Sequence, residues 1–146
     1  MSDAAPVKKA ASPPGLMISH AKDAVFKRDG LRSFFEYRDL DLVGLTEGRI
    51  EAHITRCSAA QQGSTGRHYH TMDAQLLYLI RGTARVDFEG VGVVTLEAGD
   101  FLHVPNGLVH DVIEVSADYE LLSIHIPAKF ATIAVETPAA TTGAPD

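Results

Sequence analysis

Apolar and polar residues alternate along most of the central part of the chain, and turns containing glycine interrupt this alternation at short intervals. A period of two residues is typical of a β-strand with one buried face, whereas the three- and four-residue spacing of an amphipathic helix is almost absent. Seven strands are predicted on this basis: Arg49–Cys57, Gln75–Arg81, Thr83–Glu89, Val91–Leu96, Phe101–Val104, Val109–Val115 and Tyr119–Ile126. Short strands at this spacing are typical of β-sandwiches and closed barrels, since closure removes unpaired strand edges.

The two ends of the chain differ in composition from its centre. Residues 1–15 are rich in alanine, proline and serine, and residues 136–146 are rich in threonine, alanine and proline. Segments with so few large apolar residues cannot bury enough surface to offset the entropy lost on ordering. We therefore expect a disordered leader over 1–15, an N-terminal arm over 16–48, a β-barrel over 49–130 and a C-terminal tail over 131–146.

The N-terminal arm contains an aromatic cluster. The stretch Leu31–Leu40 includes Phe34, Phe35 and Tyr37, and large aromatic side chains are usually buried. This stretch is predicted to form a further strand that packs on the barrel or across a dimer, with a ligand-stacking platform as the alternative. Because the arm is suited to reaching a second subunit, we expect a homodimer.

The composition limits the classes of function. A chain of 146 residues, 45% of them hydrophobic, is long enough for one domain. Its 19 acidic and 13 basic residues give a net charge of −6, which repels nucleic acid phosphates and anionic lipid headgroups. We therefore expect neither nucleic acid nor a membrane as partner. The chain has one cysteine, Cys57, and no apolar stretch suited to a signal peptide or a membrane span, so a cytoplasmic location is expected.

Three histidines have the spacing of a metal site. His68 and His70 are two residues apart, so a strand would direct both imidazoles to the same face. His110 follows a tight turn that contains Pro105 and Gly107. Three nitrogen ligands from two strands leave coordination positions open, as in catalytic rather than structural metal sites.

These residues resemble the two sequence motifs of the cupin superfamily. The first motif is matched by Gly63, His68, His70, Gln75 and Gly82, with one residue fewer than usual between the first two. The second motif is matched by Gly99, Pro105, Gly107, His110 and, where the family usually has asparagine, Glu114. Two linked motifs are more specific than either alone. The resemblance implies a cupin jelly-roll β-barrel (double-stranded β-helix) as a single all-β domain.

The resemblance also implies a divalent transition metal bound by His68, His70 and His110, with a fourth ligand at position 75. The family usually supplies a glutamate there, and this chain has Gln75. The amide oxygen can bind a cation without neutralising its charge, or the amide can instead hydrogen-bond a metal-bound water. Fe(II) fits the resemblance best, because three-histidine iron dioxygenases occur in the superfamily, and Ni, Mn, Cu and Zn remain open.

Further site residues are predicted by counting alternate positions along the strands. Glu114 shares a face with His110 by this count and is predicted either to act as a catalytic acid or base or to supply a carboxylate close to the metal ligands. Leu77 and Leu79 share a face with Gln75 and are predicted to form the wall of a substrate site. Three more histidines on predicted strands are candidates either for the same cavity or for ordinary structural roles: His53, His103 and His125.

Two classes of function are consistent with these residues. The first is a metal-dependent dioxygenase, or a related lyase or isomerase, acting on a small organic molecule that chelates the metal. The second is a non-catalytic barrel that senses or stores a small molecule or a metal. The fold alone cannot decide between them, because the same barrel hosts many activities.

Overall fold

The computed structural model of the chain describes residues 14–28, 32–57 and 64–136. Apart from one turn of 3₁₀ helix at Ala21–Asp23, the regular elements in these ranges are strands. They are β1 (Phe35–Asp39), β2 (Glu51–Cys57), β3 (His68–Thr71), β4 (Ala74–Arg81), β5 (Thr83–Phe88), β6 (Gly92–Glu97), β7 (Phe101–Val104), β8 (His110–Val115), β9 (Glu120–Ile126) and β10 (Ala131–Ala134). In the described part of the chain, no helix is long and apolar enough to cross a membrane.

The strands form two antiparallel sheets of five strands each. The first sheet has the order β1-β2-β9-β4-β7 and the second has the order β10-β3-β8-β5-β6. Apart from the pairs β1-β2 and β5-β6, neighbouring strands within each sheet are not consecutive in sequence, so the chain crosses repeatedly from one sheet to the other. This is a jelly roll, and the all-β prediction is confirmed.

The two-residue period in the sequence determines which side chains enter the core. In β5, Ala84, Val86 and Phe88 are buried, whereas Thr83 and Arg85 are exposed. The core between the two sheets is centred on Leu79, which is completely buried. Burying a side chain of this size contributes about 1.5–3 kcal/mol to stability, so the facing apolar rows hold the two sheets together.

The aromatic cluster of the N-terminal arm packs on the barrel of its own chain. Phe35 is buried in β1 and stacks on Tyr119 with ring centroids 5.7 Å apart. Phe34 contacts Phe35 edge to face at 4.7 Å. The arm therefore supplies an edge strand of the first sheet, which was one of the two packing alternatives expected from the sequence.

The ends of the predicted barrel differ from those observed. Strand β10 lies at 131–134, within the segment predicted as a tail, and it pairs with β3. All of its residues are exposed, so the segment has no apolar alternation by which the sequence could reveal a strand. The leader predicted over 1–15 falls almost entirely outside the described residues, as do Gly63 and residues 137–146.

Gly82, in the turn between β4 and β5, is expected to tolerate no side chain. Its φ is +82°, and an added Cβ would lie 2.9 Å from the Cα of Tyr119 and also clash with Ser116. Left-handed backbone costs about 1–2 kcal/mol for residues other than glycine, and overpacking adds about 1–3 kcal/mol. We therefore expect Gly82→Ala to lower the free energy of unfolding, measured in urea, by about 3 kcal/mol.

Gly90 provides the matched control, because its φ is +84° and a Cβ there would meet nothing within 4 Å. Gly90→Ala should cost only the backbone contribution of about 1 kcal/mol. Equal losses for the two variants would contradict the close contact at Gly82.

Candidate metal centre

A cavity of about 280 Å³ lies between the two sheets, and it is called the inner cavity below. Most of its lining is apolar and aromatic, and its polar residues include six that carry the candidate chemistry. Leu77 and Leu79 both line it, as the sequence predicted. The six polar residues that carry the candidate chemistry are His53, His68, His70, Gln75, His110 and His125. This combination of an apolar wall and a few convergent polar groups is typical of a small-molecule site.

His68, His70 and His110 form a compact group on the second sheet, called the three-histidine cluster below. His68 and His70 lie on β3, and His110 lies on β8 directly opposite His68. The ring centroids are 4.4 Å apart for His68 and His110, 5.0 Å for His68 and His70, and 5.3 Å for His70 and His110. One nitrogen from each ring lies within 4.8 Å of the others, so the cluster can hold a metal ion.

One nitrogen of each imidazole in the cluster is already hydrogen-bonded. The Nδ1 atom of His68 lies 2.7 Å from the carbonyl oxygen of Gly66, and that of His110 lies 3.0 Å from the carbonyl oxygen of Leu108. A carbonyl can only accept, so both Nδ1 atoms carry the proton and both Nε2 atoms have a free lone pair. Such contacts fix the tautomer and orientation of metal-binding histidines.

His70 is held by a strand that the sequence did not predict. Its Nδ1 atom lies 2.9 Å from the hydroxyl of Thr132, and Thr132 lies opposite His70 in the pairing of β10 with β3. The hydroxyl can accept the Nδ1 proton, which leaves Nε2 of His70 as the metal-binding atom. All three rings of the cluster are therefore oriented by a contact at Nδ1.

The electrostatic environment keeps the three imidazoles neutral. Burial lowers the pKa of His68 and of His110. Burial, together with the neighbouring rings of His68, His110 and His125, lowers the pKa of His70 to about 3. A neutral imidazole is the form that binds a metal, so protons do not compete for these nitrogens near neutral pH.

Gln75 faces the cluster from the first sheet. It is buried, it lines the inner cavity, and its Oε1 atom has no hydrogen-bond partner in the protein. A buried amide oxygen without a partner costs about 1–3 kcal/mol, unless a cation or water satisfies it. Three oriented imidazoles and one unpartnered amide oxygen therefore fit a divalent metal.

Glu114 does not lie in the inner cavity, and the prediction that it shares a face with His110 is wrong. Arg85 pairs with Glu114 whereas the adjacent Val86 pairs with Val112, so Ile113 is an extra residue in β8. Such a β-bulge reverses the alternation beyond it. The side chain of Glu114 is 64% exposed and forms an ion pair with Arg85 at 3.1 Å.

His103 also lies outside the cavity. In β7, Leu102 and Val104 face inward, and His103 is exposed on the opposite face. The alternation of β7 therefore excludes His103 from the substrate site. By contrast, His53 and His125 line the inner cavity from β2 and β9.

Glu51 is a site residue that the sequence reading missed. Its Oε2 atom accepts a hydrogen bond from Nδ1 of His53 at 2.8 Å, and its Oε1 atom lies 2.8 Å from Nδ1 of His125. Burial alone would raise the pKa of Glu51, but the two imidazoles more than offset this effect and hold the pKa at about 2. The sequence contained the information needed to find it, because Glu51 and His53 are two residues apart on one predicted strand and so share a face.

Several solved structures share this fold. The polyketide cyclase RemF from Streptomyces resistomycificus superposes with a TM-score of 0.69 and 16% identity over 84% of this chain and 87% of that one. KdgF from Halomonas sp. has a TM-score of 0.61 and 14% identity over 75% and 94%. Oxalate decarboxylase from Bacillus subtilis has a TM-score of 0.58 and 20% identity over 85% of this chain but only 34% of that one.

The sequence comparison identifies the family. No curated protein matches the chain, but the family model described as the cupin domain matches residues 56–125. That range contains all three members of the three-histidine cluster and Gln75, and the jelly roll around them is the fold of the similar structures. The chain therefore contains a cupin domain over residues 56–125.

Proposed function

We propose that this cupin is a metal-dependent enzyme that converts a small organic molecule bound in the inner cavity, with Fe(II) as the metal and dioxygenation as the reaction. The observation that carries the proposal is the set of three neutral imidazoles with free Nε2 atoms beside the unpartnered oxygen of Gln75. Three protein nitrogens and one weak oxygen donor leave room for a substrate on the metal. A related lyase or isomerase reaction would use the same site.

The protein residues have separate roles in this proposal. His68, His70 and His110 would hold the metal through Nε2, and Gln75 would bind it or a water on it. A metal bound there supplies Lewis acidity, and iron in addition supplies chemistry with oxygen. Leu77 and Leu79 belong to the apolar lining of the inner cavity, which would exclude water and so strengthen the electrostatic interactions within it.

The charges of the inner cavity indicate the kind of substrate. None of the described residues that line it is aspartate or glutamate, and Arg32 lines it together with the four neutral metal donors. A bound metal would keep its full charge, so an anionic chelating group would bind favourably. The apolar wall favours a hydrophobic body. Catechols, β-diketones and thiols combine these two properties.

Two proteins of the same fold support catalysis over simple binding. One is named a polyketide cyclase and the other an oxalate decarboxylase. Both names describe enzymes that act on small oxygen-rich molecules, although a shared fold at this identity gives no specific reaction. Neither name describes a dioxygenase, so the test of the proposal must also detect conversion without oxygen.

The proposed function predicts oxygen uptake by the iron-loaded protein. Metal-free protein is reconstituted with Fe(II) under anaerobic conditions and mixed with catechols, β-diketones or thiols, and oxygen consumption and product are followed together. We expect at least one substrate class to be consumed with oxygen. His110→Ala should abolish the uptake, whereas His103→Ala, outside the cavity, should not change it.

Two other results would replace this proposal. Conversion without oxygen uptake would favour a lyase or isomerase. A ligand that raises the thermal stability of the metal-loaded protein but is recovered unchanged, with no turnover of any substrate class, would favour the non-catalytic binding barrel.

The proposed role of Gln75 predicts opposite effects of two substitutions. Gln75→Glu adds the negative charge that cupins usually have at this position, so it should tighten divalent metal binding by at least about tenfold. Gln75→Leu removes the oxygen donor and should weaken binding by about 10- to 100-fold. Titration calorimetry with Zn(II) or Mn(II) measures both effects. Similar affinities in all three proteins would show that residue 75 does not bind the metal.

We also propose that the protein forms a homodimer through the outer face of the first sheet. Tyr78 and Phe101 pair there on β4 and β7, with 43% and 62% of each residue exposed, and Ile80 is exposed beside them. Exposed apolar patches of this kind usually mark interfaces. Light scattering should give a dimer at micromolar concentration and a monomer for Phe101→Glu. Val91→Glu, on an exposed hairpin of the other sheet, should remain dimeric, and a monomeric parent protein would refute the interface.

A further inference from the structure

We propose that Glu51, His53 and His125 form a second metal site, separate from the three-histidine cluster and suited to a divalent transition metal. These three residues are called the Glu51 cluster below. The proposal does not depend on the proposed function, because the two groups of ligands share no residue.

The β-sheet brings the three side chains together without any loop. Glu51 and His53 are two residues apart on β2, so they share one face of the first sheet. His125 lies on β9 directly opposite Glu51 in the pairing of the two strands. One ligand atom from each residue lies within 4.8 Å of the other two. Donors on paired strands are fixed more rigidly than donors on loops.

The chemistry of the donors is that of a metal site. Two imidazoles and one carboxylate make up the set that binds non-haem iron with open positions, and similar sets bind zinc. The carboxylate supplies the negative charge that the three-histidine cluster lacks. Glu51 is therefore expected to confer affinity for a harder divalent ion than a purely imidazole site would have.

His125 has a buried nitrogen whose bonding requirement the protein does not meet. The residue is only 5% exposed, and its Nδ1 atom lies 2.8 Å from Oε1 of Glu51. Although His125 lies close enough to lower the pKa of Glu51, the contact does not have hydrogen-bond geometry, and the Nδ1 atom has no other partner among the described residues. Two ligands of one cation also lie close together without a hydrogen bond between them. The Nδ1 atom of His125 and the Oε1 atom of Glu51 have this arrangement. A bound metal would satisfy the nitrogen and remove the cost of leaving it unpaired.

An ion can reach the Glu51 cluster from outside the barrel. Glu51 and His53 line an outer cleft of about 530 Å³, and His53 also lines the inner cavity. Three aspartates, Asp23, Asp39 and Asp41, also line the cleft, whereas only two basic residues do, Lys27 and Arg38. Arg38 donates hydrogen bonds to Ser19. The excess of carboxylates favours entry of a cation, and the open side leaves room for water ligands.

The two metal groups are neighbours within the barrel. The rings of His70 and His125 lie 6.4 Å apart between centroids, and His125 separates the inner cavity from Glu51. Two ions held by such closely spaced ligand groups would repel each other in the low dielectric of the core. The carboxylate of Glu51 reduces this repulsion, which is why the second ion is assigned to the cluster that contains it.

The number of metal ions bound per chain tests the proposal. The full chain is stripped with a chelator and dialysed to equilibrium against Zn(II), and bound zinc is measured by elemental analysis. We expect two equivalents for the parent protein, one for Glu51→Gln, one for His110→Ala and none for the double variant. Glu36→Gln is the control and should retain two, because Glu36 only pairs with Arg28 and Arg56 near the surface.

The possible results separate this proposal from the proposed function. One equivalent in the parent protein that disappears in His110→Ala, or two equivalents in Glu51→Gln, would overturn the second site and show Glu51 to be only a hydrogen-bond partner. One equivalent that disappears in Glu51→Gln but survives in His110→Ala would support the second site and remove the basis of the proposed function.

A second variant allows the proposal to be tested even if Glu51→Gln does not fold. His53 is only partly buried, so His53→Asn should preserve the fold if Glu51→Gln unfolds, which thermal denaturation of each variant checks. His53→Asn is expected to bind one equivalent, and retention of two would overturn the proposal. Zinc anomalous scattering from crystals of the parent protein should show one peak at each cluster, and a single peak at the three-histidine cluster would likewise contradict it.

Discussion

The hydrogen bonds at the Nδ1 atoms of the three histidines determine the chemistry of the inner cavity. Each imidazole can offer only one lone pair when it is neutral, and the contact at Nδ1 decides that Nε2 is the atom that offers it. Two of the acceptors are carbonyl groups two residues before the histidine, Gly66 and Leu108, and the third is the hydroxyl of Thr132. The orientation of the three Nε2 atoms is therefore an outcome of backbone conformation as much as of side-chain identity.

The placement of charge follows from burial. A carboxylate facing the inner cavity would have been costly to bury without a partner. This chain has the neutral Gln75 there, and the partly buried carboxylate of Glu51 lies behind His125, where two imidazoles stabilise the ionised form. The barrel thus separates a neutral group of polar side chains from a charged one, with the imidazole of His125 between them.

The sequence predicted the strands whose faces differ in polarity, and it failed where the relevant information is not local. β7 was predicted with its observed bounds, and β4, β5 and β9 to within one residue at each end, because their apolar residues alternate or form short blocks between turns. β10 could not be predicted, since all of its residues are exposed and only pairing with β3 defines it. Glu114 was assigned to the wrong face because a bulge depends on the register of two strands that are distant in sequence. Glu51 could have been found, because the count that was applied to Gln75 applies equally to His53.

The pairing of β10 with β3 sets the limits of the functional unit. The family match ends at residue 125, and every motif residue lies before that point. Yet β3 pairs with β8 only at His68, whereas it pairs with β10 over four residues, one of which orients His70. A protein trimmed to the family boundary would keep the three-histidine cluster and Gln75, but it would lose Glu51, His53 and the strand that keeps β3 from becoming a sheet edge. Domain limits taken from motif comparison would therefore cut through the site that they are meant to enclose.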